Sequence, residues 1–83
     1  MHYTYILYSA SRDRYYIGSS ADVSARLAVH NSNHKGFTGK TGDWKVAYTE
    51  AFDFKSEALI REKKIKSWKS RRMIEKLIDS VGS

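Results

Sequence analysis

Residues 3–30, YTYILYSASRDRYYIGSSADVSARLAVH, decide how the rest of the chain reads. Over Tyr3–Ser9, Tyr3, Tyr5 and Leu7 alternate with Thr4, Ile6 and Tyr8. Aromatic and β-branched residues at that density predict a strand. Ser11-Arg12-Asp13 is turn material, and Arg14–Ser19 resumes the alternation, so the two strands are expected to pair as an antiparallel hairpin. Gly18 interrupts the second strand where no turn is needed, which marks either a bulge or a close approach to the backbone, the latter being the more informative reading. Ser20-Ala21-Asp22 offer N-cap side chains, and Val23 to about Asn31 reads as a helix.

Val23 and Leu27 define the apolar arc of that helix. At roughly 100° per residue, His30 falls about 20° from Val23 and Arg26 about 60° away on the same side. Both are therefore expected to face the sheet. A lone histidine in such a place is ordinarily a buried, hydrogen-bonded structural residue. An arginine one turn earlier changes the reading, because a buried guanidinium without a partner is costly. Two such groups above one hairpin point to an anion site.

Outward from this stretch, residues 31–43, NSNHKGFTGKTGD, contain three glycines and no apolar periodicity, and are expected to form a solvated loop. Gly39-Lys40-Thr41 resembles the end of a phosphate-binding loop, but His34 stands where the first glycine belongs and a strand follows instead of a helix. A P-loop is therefore rejected, although the lysines of this loop remain candidates to touch a backbone phosphate. Lys45–Phe52 is the third strand. Asp53 or Ser56 can cap a helix from about Glu57 to Ser67, with Ala58, Leu59 and Ile65 on its apolar arc and Glu62 projecting into the middle. Charged residues are rarely buried alone. Glu62 is thus either an edge carboxylate paired with Lys63, Lys66 or Arg26, or a metal ligand aimed at the same sheet face as Arg26 and His30. Trp68 to about Ser80 reads as a last helix with Ile74, Leu77, Ile78 and Val81 as its buried stripe.

The chain has 83 residues, 41% of them apolar, which fits one small domain spanning residues 1–83. There is no cysteine, so neither a disulfide framework nor a thiolate metal site is available. The longest apolar run is far short of the ~20 residues that span a bilayer, and no signal-peptide pattern opens the chain. A cytoplasmic protein without membrane contact is expected. A net charge of +6 favours a polyanionic partner. Residues 61–76 hold eight basic side chains against two acidic ones, a surface suited to a nucleic-acid backbone. Lys40, Lys66, Lys69, Arg71 and Arg72, with the open backbone at Gly18, are the expected contacts.

Tyr5, Tyr16-Ile17-Gly18, Arg26, His30 and Glu62 together resemble the GIY-YIG nuclease domain, most closely its short stand-alone bacterial members. The tyrosines lie eleven residues apart, the arginine ten beyond the second, and the histidine four further on. The second signature triplet is intact, whereas the first appears as Tyr3-Thr4-Tyr5 and keeps only its tyrosine. The resemblance implies an α+β fold, a small three-stranded antiparallel sheet flanked by about three helices. It also implies metal-dependent hydrolysis of a nucleic-acid phosphodiester; DNA is expected over RNA, and single-stranded or irregular DNA over duplex because so small a body cannot wrap a long duplex site. In that reading Glu62 holds a single Mg²⁺ or Mn²⁺, Arg26 clamps the phosphate, and Tyr5, Tyr16 or His30 activates water, with Tyr5 favoured as the base. That role asks the Tyr5 phenol to titrate below its usual pKa of ~10. The alternative is a nucleic-acid-binding module that is inactive alone, or that needs a protein partner for targeting. A monomer or weak dimer is expected.

Overall fold

The computed structural model describes residues 1–32 and 35–82. Strand β1 (His2–Ser9) and strand β2 (Arg14–Ser20) form the expected hairpin, and helix α1 (Val23–His30) follows. Strand β3 (Trp44–Phe52), helix α2 (Lys55–Ser67) and helix α3 (Arg71–Gly82) complete the chain. The sheet order is β2-β1-β3, antiparallel throughout. This is the α+β architecture that the family resemblance implied, a three-stranded antiparallel sheet with three helices.

The central strand β1 serves two cores at once. Its odd-numbered side chains Tyr5 and Leu7 join Trp44, Tyr16, Val23 and Leu27 beneath α1. Its even-numbered Ile6 joins Ile17 and Ile65, with Tyr48, Trp68, Ile74, Leu77 and Ile78 against them, beneath α2 and α3. Thr4, on that second side, is fully buried and donates its hydroxyl to the Ala58 carbonyl of α2 at 2.8 Å. Side chains alternate across a strand, so one β-strand supplies both layers.

A bulge assigns the third strand. Ile6 pairs with Tyr48 but Leu7 pairs with Val46, which leaves Ala47 as the extra residue. In a regular strand Trp44 and Tyr48, four apart, would share a face. The extra residue switches the parity. Trp44 therefore reaches the α1 layer and Tyr48 the α2 layer.

Helix ends follow local chemistry, with two corrections. Asp22 caps α1 by accepting from the Ala25 N–H at 3.0 Å. Helix α2 begins at Lys55, and neither Asp53 nor Ser56 caps it. Phe54 takes the cap position, and the Glu57 carboxylate accepts from its N–H at 3.2 Å. The third helix starts at Arg71 instead of Trp68, because Trp68 ends α2 and Lys69 takes a left-handed φ of 47°. Ser70 then accepts from the Met73 N–H at 3.2 Å, a serine N-cap. Leu59 and Val81, expected in the buried stripes, are exposed. Helix α2 meets the sheet along Ala58 and Ile65, a narrower strip than the composition implied.

Candidate active site

The site is built on the α1 face of the hairpin. Tyr5 stands directly opposite Gly18 in the β1–β2 register. A Cβ at residue 18 would lie 2.6 Å from the Tyr5 hydroxyl and 2.7 Å from the carbon that bears it. Glycine is thus needed for space: the group that approaches the Gly18 backbone is the Tyr5 ring of the same protein. With its ring laid across Gly18, the Tyr5 hydroxyl reaches His30 Nε2 at 2.9 Å. The other ring nitrogen, Nδ1, lies 2.8 Å from the Thr38 hydroxyl. Tyr5, His30 and Thr38 are all buried.

Tyr16 completes an aromatic cluster. Its ring centroid is 4.5 Å from that of His30 and 6.5 Å from that of Tyr5. Burial pushes the Tyr5 phenol above its ordinary pKa, while Arg26 pulls the other way through a side-chain hydrogen bond and its charge. Tyr16 and Glu62 add to the upward push. The resting phenol therefore titrates above its usual range, opposite to the shift expected of a base that ionises in advance.

Arg26 itself is exposed, where helical spacing expected it to face the sheet, and it stands at the rim of the site. Glu62 is a second correction. It belongs to α2, which covers the face opposite α1, and it reaches the edge strand from that side. Ser19 donates to Glu62 Oε1 at 2.7 Å, and Lys66 Nζ pairs with Oε2 at 2.7 Å. Ser19 follows Gly18 and so points to the α2 side of β2. The carboxylate thus stands at the edge of the sheet, one residue beyond Gly18 through its bond from Ser19.

Glu62 fits the part of a single protein ligand for a hard divalent cation. It offers carboxylate oxygens with 18% of the side chain exposed, and Mg²⁺ is commonly held by one or two carboxylates with water and phosphate oxygens filling the rest. Among the described residues no three of His, Asp or Glu gather into a metal cage.

The basic surface divides. Arg71 is engaged, forming ion pairs with Asp13 and Glu75 and lying 5.3 Å from the Tyr15 ring centroid. These contacts tie α3 to the hairpin turn, and with Tyr8 they hold the Asp13 carboxyl at about 2. Lys66 is committed to Glu62. Lys40, Lys69 and Arg72 remain exposed.

Sequence reasoning passed over Thr38 and Ser19. The loop after α1 is not merely solvated. Thr38 is buried, its carbonyl accepts from Trp44 Nε1 at 3.0 Å, and Asn31 clamps the Trp44 backbone through bonds of 2.8 and 3.1 Å. A threonine among glycines carries no periodic signal, so only its burial beside His30 reveals its part. Ser19 could have been noticed as the polar neighbour of Gly18, but not paired with a residue 43 positions away.

Among the described residues no helix is long and apolar enough to cross a membrane. The chain matches the model of the GIY-YIG catalytic domain over residues 1–76. It is 41% identical over 68 residues to a UPF0213 protein of Halobacterium salinarum, covering 80% of this chain and 86% of that one. A UPF0213 protein of Staphylococcus haemolyticus is 38% identical, covering 94% of each chain. The solution structure of a UPF0213 protein from Bacillus halodurans superposes with a TM-score of 0.58 at 34% identity, covering 94% of this chain and 82% of that one. With Tyr5, Tyr16, Arg26, His30 and Glu62 grouped as described, the protein belongs to the GIY-YIG catalytic-domain family, whose members are typically nucleases.

Proposed function

We propose that this protein is a divalent-metal-dependent endonuclease that hydrolyses phosphodiester bonds, with DNA as its substrate. The observation that carries the reading is the buried chain Tyr5 hydroxyl–His30–Thr38, with the Tyr16 ring packed on His30. A tyrosine raised by burial is a poor resting anion. It is a good relay if its proton has somewhere to go, and His30 Nε2 lies 2.9 Å away. When His30 Nδ1–H donates to Thr38 Oγ1, Nε2 is left as an acceptor and Tyr5 donates to it.

The steps balance in that tautomer. The Tyr5 oxygen takes a proton from the attacking water while its own proton passes to His30 Nε2. The water oxygen forms the new bond to phosphorus, the P–O bond to the leaving sugar oxygen breaks, that oxygen takes a proton from solvent water, and His30 returns its extra proton to solvent. Negative charge develops on the phosphate and the leaving oxygen. Arg26 meets it at the rim with a forked donor that a lysine lacks. Tyr16, packed on His30, orients water or phosphate. A divalent cation held by Glu62 would supply further positive charge to the phosphate and leaving oxygen. Ser19 and Lys66 hold the carboxylate in place from either side. General acid–base catalysis of this kind contributes about 10²–10⁴ in rate.

The test is cleavage of labelled single-stranded and duplex DNA with Mg²⁺, Mn²⁺ or EDTA, comparing wild type with Glu62→Ala and Tyr5→Phe. Metal-dependent cutting by wild type, absent from Glu62→Ala and severely slowed in Tyr5→Phe, supports the reading. Binding without cutting under every condition favours a nucleic-acid-binding module that depends on a protein partner.

A further inference from the structure

Phe37 stands out on the α1 side of the molecule. It is 55% exposed, yet its ring is supported from several directions. It stacks beside Tyr16 with centroids 6.3 Å apart and planes at 25°, and it lies 6.2 Å from the Trp44 centroid. The Arg12 guanidinium sits 4.8 Å from the ring centroid and donates to the Phe37 carbonyl and to Thr41 Oγ1. A large apolar ring kept in solvent on a braced loop contributes little to the core. It is held as a presented surface.

The surroundings of the ring are cationic. Phe37 borders a cavity of about 490 Å³ shared with Arg12, Lys35 and Lys40, and a second of about 270 Å³ shared with Arg14 and Lys69. Among the described residues none of Arg14, Lys35, Lys40 and Lys69 forms an ion pair. The acids of this end are already occupied: Asp13 pairs with Arg71 and Tyr8, and Asp43 accepts from the Ser9 hydroxyl and the Ser11 N–H. An aromatic platform with unbalanced cations on both sides is the combination that holds unpaired nucleotides, the base on the π-surface and the phosphates on the cations. A duplex keeps its bases stacked on one another and has none to lay on the ring.

The ladder Phe37–Tyr16–His30–Tyr5 joins this platform to the reaction site. We propose that Phe37 and Arg12 form a stacking subsite for one unpaired base beside the scissile phosphate, with Lys35, Lys40, Arg14 and Lys69 receiving the flanking phosphates. The word scissile rests on the nuclease reading above; the stacking subsite does not.

Fluorescence anisotropy of the full chain in EDTA, with a short labelled single strand and its duplex, tests this. Phe37→Ala is expected to weaken single-strand binding about tenfold, in line with measured base–aromatic stacking, and to leave duplex binding unchanged. Phe37→Trp should restore or strengthen it. One abasic position in the strand should reproduce the loss in wild type and cost nothing further in Phe37→Ala. Because the ring also touches Tyr16 and Trp44, Phe37→Leu keeps apolar cover without a π-face, and its amide NMR spectrum reports whether the His30–Trp44 region stays folded. Wild-type affinity in Phe37→Leu, or an equal loss for strand and duplex, overturns the subsite. Base-dependent binding without Mg²⁺- or Mn²⁺-driven cleavage removes the nuclease reading and keeps the subsite; cleavage with Phe37-independent binding does the reverse.

Discussion

The two faces of the same three-stranded sheet have been put to different uses. Under α2 and α3 lie Ile6, Ile17 and Ile65, a layer of aliphatic side chains whose order comes from close packing. Under α1 lie Tyr5, Tyr16, Trp44 and His30, aromatic groups joined by directed hydrogen bonds. The first layer contains few buried polar atoms, the Thr4 hydroxyl on the Ala58 carbonyl among them, and its aliphatic positions tolerate volume-conserving exchange. The second does not, since each buried polar atom needs its named partner. Strand β1 runs between them, so the rigidity of the aliphatic layer fixes where the Tyr5 hydroxyl stands. Stability and chemistry are thus separated by the pleat of one strand.

The sharpest way to break this separation is at Tyr5. Removing only its hydroxyl in Tyr5→Phe is expected to slow cleavage by about 10²–10⁴, roughly 3–5 kcal/mol of barrier, while loss of the buried bond to His30 costs stability only about 1–3 kcal/mol. A stability loss as large as the added barrier would mean that the two faces are not independent. Ile65→Ala is the converse: deletion of a fully buried side chain should cost about 2–5 kcal/mol in denaturant unfolding. The surviving folded fraction should cut at the wild-type rate.

Gly18→Ala probes the seam. A methyl group there meets the Tyr5 hydroxyl at 2.6 Å, so the ring must leave His30 or the hairpin must spread. The expected result is about 1–3 kcal/mol of overpacking together with most of the activity loss seen in Tyr5→Phe, and Gly18→Ala combined with Tyr5→Phe should be less than additive in rate. Thr38→Val keeps volume but leaves His30 Nδ1 without its Thr38 partner, at about 1–3 kcal/mol for a buried polar group. Its signature should be a shifted pH–rate profile with little change in substrate binding.

The smallest effect lies far from both layers. Arg71 first, and Tyr8 second, hold Asp13 at about 2, below its ordinary value of 3.8. A depressed carboxyl stabilises the fold above its unfolded pKa, and that contribution fades as pH falls from about 4 through about 2. Melting temperature against pH should therefore drop less over that interval in Asp13→Asn than in wild type, with the two curves separated at neutral pH. The pair is exposed, so the gap should be narrow.

Much of this was legible in the chain. The hairpin followed from alternation around Ser11-Arg12-Asp13, and α1 from its Asp22 cap. Gly18 declared a close approach, although not by what. Helical spacing placed His30 inward, but it also placed Arg26 inward, because a wheel describes where Cβ points and not where a flexible side chain ends. Leu59 and Val81 misled for a related reason: an apolar residue on the expected arc is buried only if the neighbouring layer extends that far.

The sequence by itself determined the order of the elements and the turn of His30 toward the sheet, since these depend on periods of 2 and 3.6 within short segments; Tyr5 was grouped with His30 through the family resemblance. Which side of the sheet α2 covers, and hence that Glu62 comes to the sheet edge through Ser19, was decided only by the tertiary structure. The same holds for the bulge at Ala47 that sends Trp44 and Tyr48 to opposite faces, and for Thr38 closing the chain from Tyr5. These features depend on contacts between segments distant along the chain, where no local period records the choice, and on the need of each buried polar atom to find a partner wherever the fold supplies one.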